Sequence, residues 1–276
     1  MIWTDMIHAT YTNRDCEIHY WHRIGNGNKY VLFFHGACVD HRMFEQQVGI
    51  FDASYDLVFW DARGHGLSKL MPGVKFSFAD MISDCRKLYE VLNISCATII
   101  GQSMGGNLAQ EMAYHYSEAV EKLVLIGCTK NTGVLTVLEK LALKFSKTII
   151  TCYPWDLLIR QIADACGNKE HVKQYVKNCF QQIDKSTCTA ITMAVTKCLH
   201  EDEEYRFKQP VLLLCGADDK TGNIRKIATA WAQSDSRCTL CIIENAGHNA
   251  NQDEPEIVNA HISNFLFNKS VSSPPL

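Results

Sequence analysis

The chain has little net charge and no long apolar run, and each shortage removes a class of function. Its 276 residues carry 27 lysines and arginines against 30 aspartates and glutamates, a formal net charge of −3. There is no basic run, and a slightly acidic balance offers the phosphate backbone of nucleic acid nothing to grip. No stretch approaches the ~20 consecutive apolar residues that a membrane-spanning helix needs, so no span is expected. The opening Met1–Asp5 lacks a charged segment followed by an apolar one, so no secretory leader is expected. Internal repeats are missing. The Ser/Pro-rich end, Ser270–Leu276, is expected to fray.

Cysteine, by contrast, is abundant, with 13 copies. In a small secreted chain that number would suggest a disulfide framework. This chain is not small, and its cysteines fall inside apolar, strand-like runs such as Val211–Cys215. A free cysteine behaves as a small buried hydrophobe. A reducing cytoplasmic setting is the expectation. The hydrophobic fraction of 47% is enough for a full core.

Short apolar runs punctuated by glycine or a polar residue recur at Tyr30–His35, Tyr55–Trp60, Ala97–Gly101, Lys122–Gly127, Pro210–Gly216 and Thr239–Glu244. Such runs fit strands buried on both faces of a parallel sheet. Helical spacing of three and four separates them at Phe78–Leu92, Met104–Tyr116, Ile224–Ala232 and Pro255–Phe267. The alternation predicts an α/β fold with a mostly parallel sheet flanked by helices. Asp5–Thr10 and Cys16–Ile24 read as an antiparallel edge hairpin. From about Thr129 to Tyr205 the pattern is helical throughout, including Val134–Ile150, Lys169–Phe180 and Thr187–Leu199. The expected organisation is a core of residues 1–128 and 206–269, a helical cap or lid inserted at 129–205, and a flexible tail at 270–276.

The sharpest local signal is Gly101-Gln102-Ser103-Met104-Gly105. It follows an apolar run and opens a helical one, as a turn that lifts a serine hydroxyl above a sheet must do. A serine hydroxyl is a weak nucleophile and needs a base. His248, in Asn245-Ala246-Gly247-His248, sits between the last strand and the last helix. An orienting carboxylate is available in Gly216-Ala217-Asp218-Asp219. Asp219, three residues past the glycine, is preferred, with Asp218 as the competitor. All three residues fall at carboxyl ends of strands, where function gathers in open α/β sheets. They also occur in the order Ser, Asp, His. A developing oxyanion needs donors, for which the backbone N–H groups of Met104 and Ala37 are placed, Ala37 lying in His35-Gly36-Ala37.

Together with Asp61-Ala62-Arg63-Gly64-His65-Gly66-Leu67-Ser68 and Gly101–Gly106, these segments make the chain resemble the α/β-hydrolase superfamily. The similar branch holds single-domain esterases, lactonases, cofactor-free haloperoxidase-like enzymes and C–C bond hydrolases. The resemblance implies an eight-stranded sheet, a helical cap after the sixth strand, and a structural role for Asp61–Ser68. There are two departures. Many relatives carry a proline after the acid, where this chain has Lys220-Thr221-Gly222. The nucleophile is serine, so the resemblance does not extend to dehalogenases or epoxide hydrolases, which use aspartate there.

The expected activity is a serine hydrolase acting on a small, largely apolar ester, thioester or lactone through an acyl-serine. Alternatives are C–C bond hydrolysis or other chemistry at the same three residues, or a hydrolase-fold receptor for a small molecule. No metal or other cofactor is expected. Leu138, Leu141, Phe145 and Trp155 are candidates to line an acyl pocket, and Asp40 and His41 to touch substrate. Capping of a helix is the competing role for Asp40. Cys238 and Cys241 have C-x-x-C spacing but no second pair for zinc. His19 and His22 fall on opposite faces of a strand, which argues against a shared ligand.

Overall fold

The computed structural model describes residues 2–267, less the side chains at positions 138, 139 and 142–144. The expected tail and the side chain of Leu138 therefore lie outside the described residues. Eight strands form one sheet: β1 (Ile7–Asn13), β2 (Cys16–Arg23), β3 (Lys29–Phe34), β4 (Tyr55–Trp60), β5 (Ala97–Gln102), β6 (Val120–Ile126), β7 (Val211–Gly216) and β8 (Cys238–Ile243). Their spatial order is β1-β2-β4-β3-β5-β6-β7-β8. β1 and β2 pair antiparallel, as does β2 with β4, and every other pairing is parallel.

Burial explains the strand sequences. Every residue of β5 and β7 is buried, because helices cover both faces. The edge strand β8 is only partly buried. Phe33 stacks on Phe59 at 4.2 Å between centroids, with Phe44 at 5.3 Å beside it. Each such ring contributes roughly 1.5–3 kcal/mol of burial.

The strand order also places a crevice at one end of the sheet. After β3 the chain moves to β4 on one side, then returns to β5 on the other. The connections diverge between β3 and β5, leaving a crevice at their carboxyl ends where ligands bind in open α/β sheets. Phe34 lies opposite Gly101 there, so Gly36-Ala37 and Ser103 emerge side by side.

The helices in chain order are α1 (Phe78–Val91), α2 (Met104–His115), α3 (Val137–Cys152), α4 (Trp155–Cys166), α5 (Glu170–Phe180), α6 (Lys185–Thr196), α7 (Ile224–Ser234), α8 (Ala250–Asp253) and α9 (Pro255–Phe267). Helices α3–α6 are inserted between β6 and β7, and α4 had no separate signature in the periodicity. A 3-10 helix over His41–Ile50 was also not foreseen. Its start is set by the Asp40 carboxylate accepting from the Arg42 N–H at 3.0 Å.

The loop after β4 is a structural knot. Asp61 is buried and accepts from the His41 and Leu67 N–H groups, while Ser68 Oγ donates to its carbonyl. Gly66 has φ 47°, and a Cβ there would sit on the Asp61 carboxylate. Arg63 and Asp84, with fully buried side chains, form a two-pronged pair at 2.5 and 2.7 Å. Removing the Asp84 charge leaves the buried Arg63 with only its longer ion pairs to Asp15 and Asp80, at 3.7 and 3.6 Å. Asp84→Asn is expected to cost about 3–5 kcal/mol, read as a lower urea midpoint at an unchanged m-value.

Candidate active site

The turn between β5 and α2 fixes Ser103. Its N–H donates to the Ile126 carbonyl at 2.9 Å, and its own carbonyl accepts the first bond of α2 from Asn107. Ser103 adopts φ 50°, ψ −116°, a strained conformation for a residue with a side chain, costing on the order of 1–3 kcal/mol. The flanking glycines serve a different purpose from turning. A Cβ on Gly105 would lie 1.9 Å from the Phe34 carbonyl oxygen, and one on Gly101 would lie 2.4 Å from that of Gly105. They let α2 press against β3 and β5, and the serine takes the strain.

His248 and Asp219 meet above the neighbouring strand ends. His248 Nδ1 lies 3.0 Å from Asp219 Oδ2, and both side chains are almost wholly buried. Asp219 Oδ1 accepts from the Thr221 N–H at 2.8 Å. Burial pushes the Asp219 carboxyl upward, but the bonds from His248 and Thr221 outweigh it and hold it below the usual carboxylate range. With Asp219 ionised, the Nδ1 proton stays on His248 and leaves Nε2 free to accept. The competitor Asp218 is exposed, and its carboxylate accepts from Asn168 Nδ2 at 2.8 Å. The loops that carry Asp219 and His248 cross closely: a Cβ on Gly216 would meet the Gly247 carbonyl at 2.1 Å.

Ser103 is tied to this pair through its neighbours. Gln102 Nε2 donates to the His248 carbonyl at 3.3 Å and to Asn249 Oδ1 at 3.2 Å. Gly127, with φ 55°, brings the end of β6 against the His248 ring. The Ser103 hydroxyl makes no hydrogen bond among the described residues. A Cβ on Gly36 would lie 3.5 Å from the Ser103 Cβ and 2.1 Å from Gln102 Oε1, so the loop carrying Ala37 stands directly over the serine. The N–H groups of Ala37 and Met104 have no backbone partner among the described residues. The loop is held by His35, whose Nε2 accepts from the Ala62 N–H and whose Nδ1–H donates to the Gly36 carbonyl. Burial lowers the His35 pKa, which keeps the ring in this neutral tautomer.

Two residues here escaped the sequence reading. Gln102 is 1% exposed, and a polar side chain ending an apolar strand was the available signal. Asp253 accepts from the Gly247, Asn168 and Lys169 N–H groups, joining the His248 loop to the turn between α4 and α5. Nothing local marks it.

The proposed pocket residues fare differently. His41 is turned into the core rather than toward a substrate: Nδ1 bonds Asp61 Oδ1 at 2.8 Å, and the ring stacks on Trp21 at 3.5 Å. Buried pairing with a carboxylate outcompetes exposure here. Asp40 caps the 3-10 helix, binds Arg42, and accepts from Tyr175 Oη at 2.9 Å through its carbonyl. Leu141 and Phe145 stand 48% and 51% exposed on α3 instead of enclosed, because that helix packs chiefly on α6. Trp155 packs within the inserted helices, 6.3 Å from the Phe180 ring. His22 bonds Asp56, and His19 bonds His8. Among the described residues, no group of three or more His, Cys, Asp or Glu could hold a metal ion. No described helix is long and apolar enough to cross a membrane.

Asp40 gives a pH-dependent contact between core and inserted helices. Burial pushes its carboxyl up, but the bonds and charge of Arg42 outweigh this and hold it at about 2. A lowered folded pKa stabilises above the unfolded value and is lost as pH falls through the folded one. The contribution, at most about 2.5 kcal/mol and trimmed by solvent around Arg42, is full above about pH 5. Asp40→Asn is therefore expected to lower the urea midpoint at pH 7, with the gap to the parent narrowing below pH 4.

A serine hydrolase-like protein from Danio rerio is 25% identical over 269 residues, covering 86% of this chain and 81% of the relative. The 3-oxoadipate enol-lactonase 2 of Acinetobacter baylyi is 22% identical, covering 91% of this chain and 93% of the lactonase. An esterase structure from Exiguobacterium antarcticum superposes with a TM-score of 0.75 at 19% identity, over 90% of this chain and 94% of the esterase. The last likeness concerns the fold alone. The family model described as serine aminopeptidase, S33 (Hydrolase_4) matches residues 25–255, and the chain belongs to that family of α/β hydrolases.

Proposed function

We propose that the protein is a serine hydrolase that cleaves a small, largely apolar ester, thioester or lactone. Ser103 Oγ attacks the acyl carbonyl and passes its proton to His248 Nε2. The tetrahedral oxyanion accepts from the Ala37 and Met104 N–H groups. Collapse leaves an acyl-serine, and the imidazolium gives its proton to the departing alcohol or thiol, or to the ring oxygen of an opened lactone. Water, deprotonated by the same imidazole, then releases the acid. Asp219 holds the ring and offsets its transient charge. The Ser103–His248 bond forms as substrate binds, since such bonds are often long in empty sites.

The observation that carries this reading is the Asp219–His248 pair at 3.0 Å beside a strained serine. Spending backbone strain on one hydroxyl is characteristic of functional sites. Residues 129–205 act as the cap, because the base loop is stitched to them by the Asn249 N–H donating to the Cys166 carbonyl at 2.7 Å. The thirteen cysteines are free thiols, and the cytoplasm, which keeps thiols reduced, suits them.

Labelling with a fluorophosphonate followed by peptide mapping tests the reading. Modification at Ser103 is expected, and absence of labelling in active, folded protein defeats it. A panel of p-nitrophenyl esters, lactones and 1,3-diketones then sorts the chemistry. Turnover of the diketones alone would replace the ester reading with C–C bond hydrolysis. A ligand retained after a single turnover would point to a receptor.

A further inference from the structure

A cavity of about 690 Å³ lies between the start of α1 and the inserted helices α3 and α6, and none of the site residues lines it. Phe76, Phe78 and Met193 are among its apolar lining, and Lys75, Lys147 and Lys197 stand around it. Among the described residues, no carboxylate lines it. None of the three lysines has an ion pair or a side-chain hydrogen bond among the described residues. In a chain whose net charge is −3, three unpaired ammonium groups around one hollow are a local reversal of sign. They repel one another, and an anion placed among them is attracted by all three. The apolar wall favours a ligand that also carries hydrocarbon. The size is that of an ordinary small-molecule site.

We propose that this cavity binds an amphiphile with one apolar chain and an anionic head, carboxylate or phosphate, and that the occupant bridges the inserted helices to α1. The head pairs with the lysines, Lys75 from the core and Lys147 and Lys197 from the insertion. The chain lies against Phe76, Phe78 and Met193. The site is independent of Ser103 and does not rest on the hydrolase reading.

Calorimetric titration of the Ser103→Ala protein, below micelle-forming concentrations, tests the proposal with laurate, dodecyl phosphate and uncharged dodecanol. Saturable binding of at least one anion is expected, tighter than dodecanol. Comparing laurate with dodecyl phosphate identifies the preferred head. The Lys75→Gln/Lys147→Gln/Lys197→Gln protein is expected to bind about tenfold more weakly, the sum of three modest ion pairs. Its folding is checked by circular dichroism and urea midpoint. On the intact lysine set, raising the salt concentration is expected to weaken binding by screening. No binding of either anion, equal affinity for dodecanol, or indifference to both salt and the lysine substitutions would overturn the proposal.

Discussion

Ser103→Ala is expected to reduce ester turnover by about four to six orders of magnitude while leaving the fold intact. The size follows from the unit nature of the machinery. Without the hydroxyl, His248 has no proton to take and no acyl-serine can form, so only the oxyanion donors and binding remain. Stability is expected to rise slightly or stay level, because the hydroxyl makes no hydrogen bond among the described residues. The φ of 50° remains in the alanine protein. Steady-state kinetics with a p-nitrophenyl ester, next to a urea titration, separate the two effects. A variant that keeps near-parental kcat/KM would remove Ser103 from the chemistry altogether.

Asp219→Asn is expected to lower kcat by roughly 10⁴ with little change in KM. The carboxylate accepts from His248 Nδ1, which keeps that nitrogen protonated and Nε2 open. An asparagine can instead turn its amide N–H toward Nδ1, which puts the ring proton on Nε2. The ring then faces Ser103 as a donor and cannot accept its proton. Asp218→Asn is the internal comparison, because Asp218 faces Asn168, and its turnover is expected to stay within a few-fold of the parent. If Asp218→Asn were the damaging change, the assignment of the acid would be reversed. Asp219 is held below the usual carboxylate range, so the carboxylate that faces His248 stays ionised in mildly acidic solution.

Much of the architecture was legible one segment at a time. Tyr55–Trp60 and Pro255–Phe267 form a strand and a helix with the boundaries their patterns predicted. The other five apolar strand runs and most helices agree to within a few residues, since buried parallel strands are short and continuously apolar. The helical stretch between β6 and β7 was also readable as helical. Three of its helices, α3, α5 and α6, lie within a few residues of their periodic segments, and α4, which starts after Pro154, had none. The pocket was the weakest reading. His41 and Asp40 looked available because they are polar and follow a glycine-bearing loop. Their partners, Asp61 and Arg42 with Tyr175, include residues up to 135 positions away.

What the sequence determined by itself is local: where strands end, where a helix starts straight after a serine, and the order Ser103, Asp219, His248. Period, glycine placement and strand punctuation encode these things within a dozen residues. Only the tertiary structure decided which carboxylate faces the imidazole, that Ser103 bears the strain which Gly101 and Gly105 do not, and that Gln102 and Asp253 brace the base loop. The Asp219–His248 contact spans 29 residues and the Gln102–His248 contact 146, and no local pattern carries the distance across a crevice.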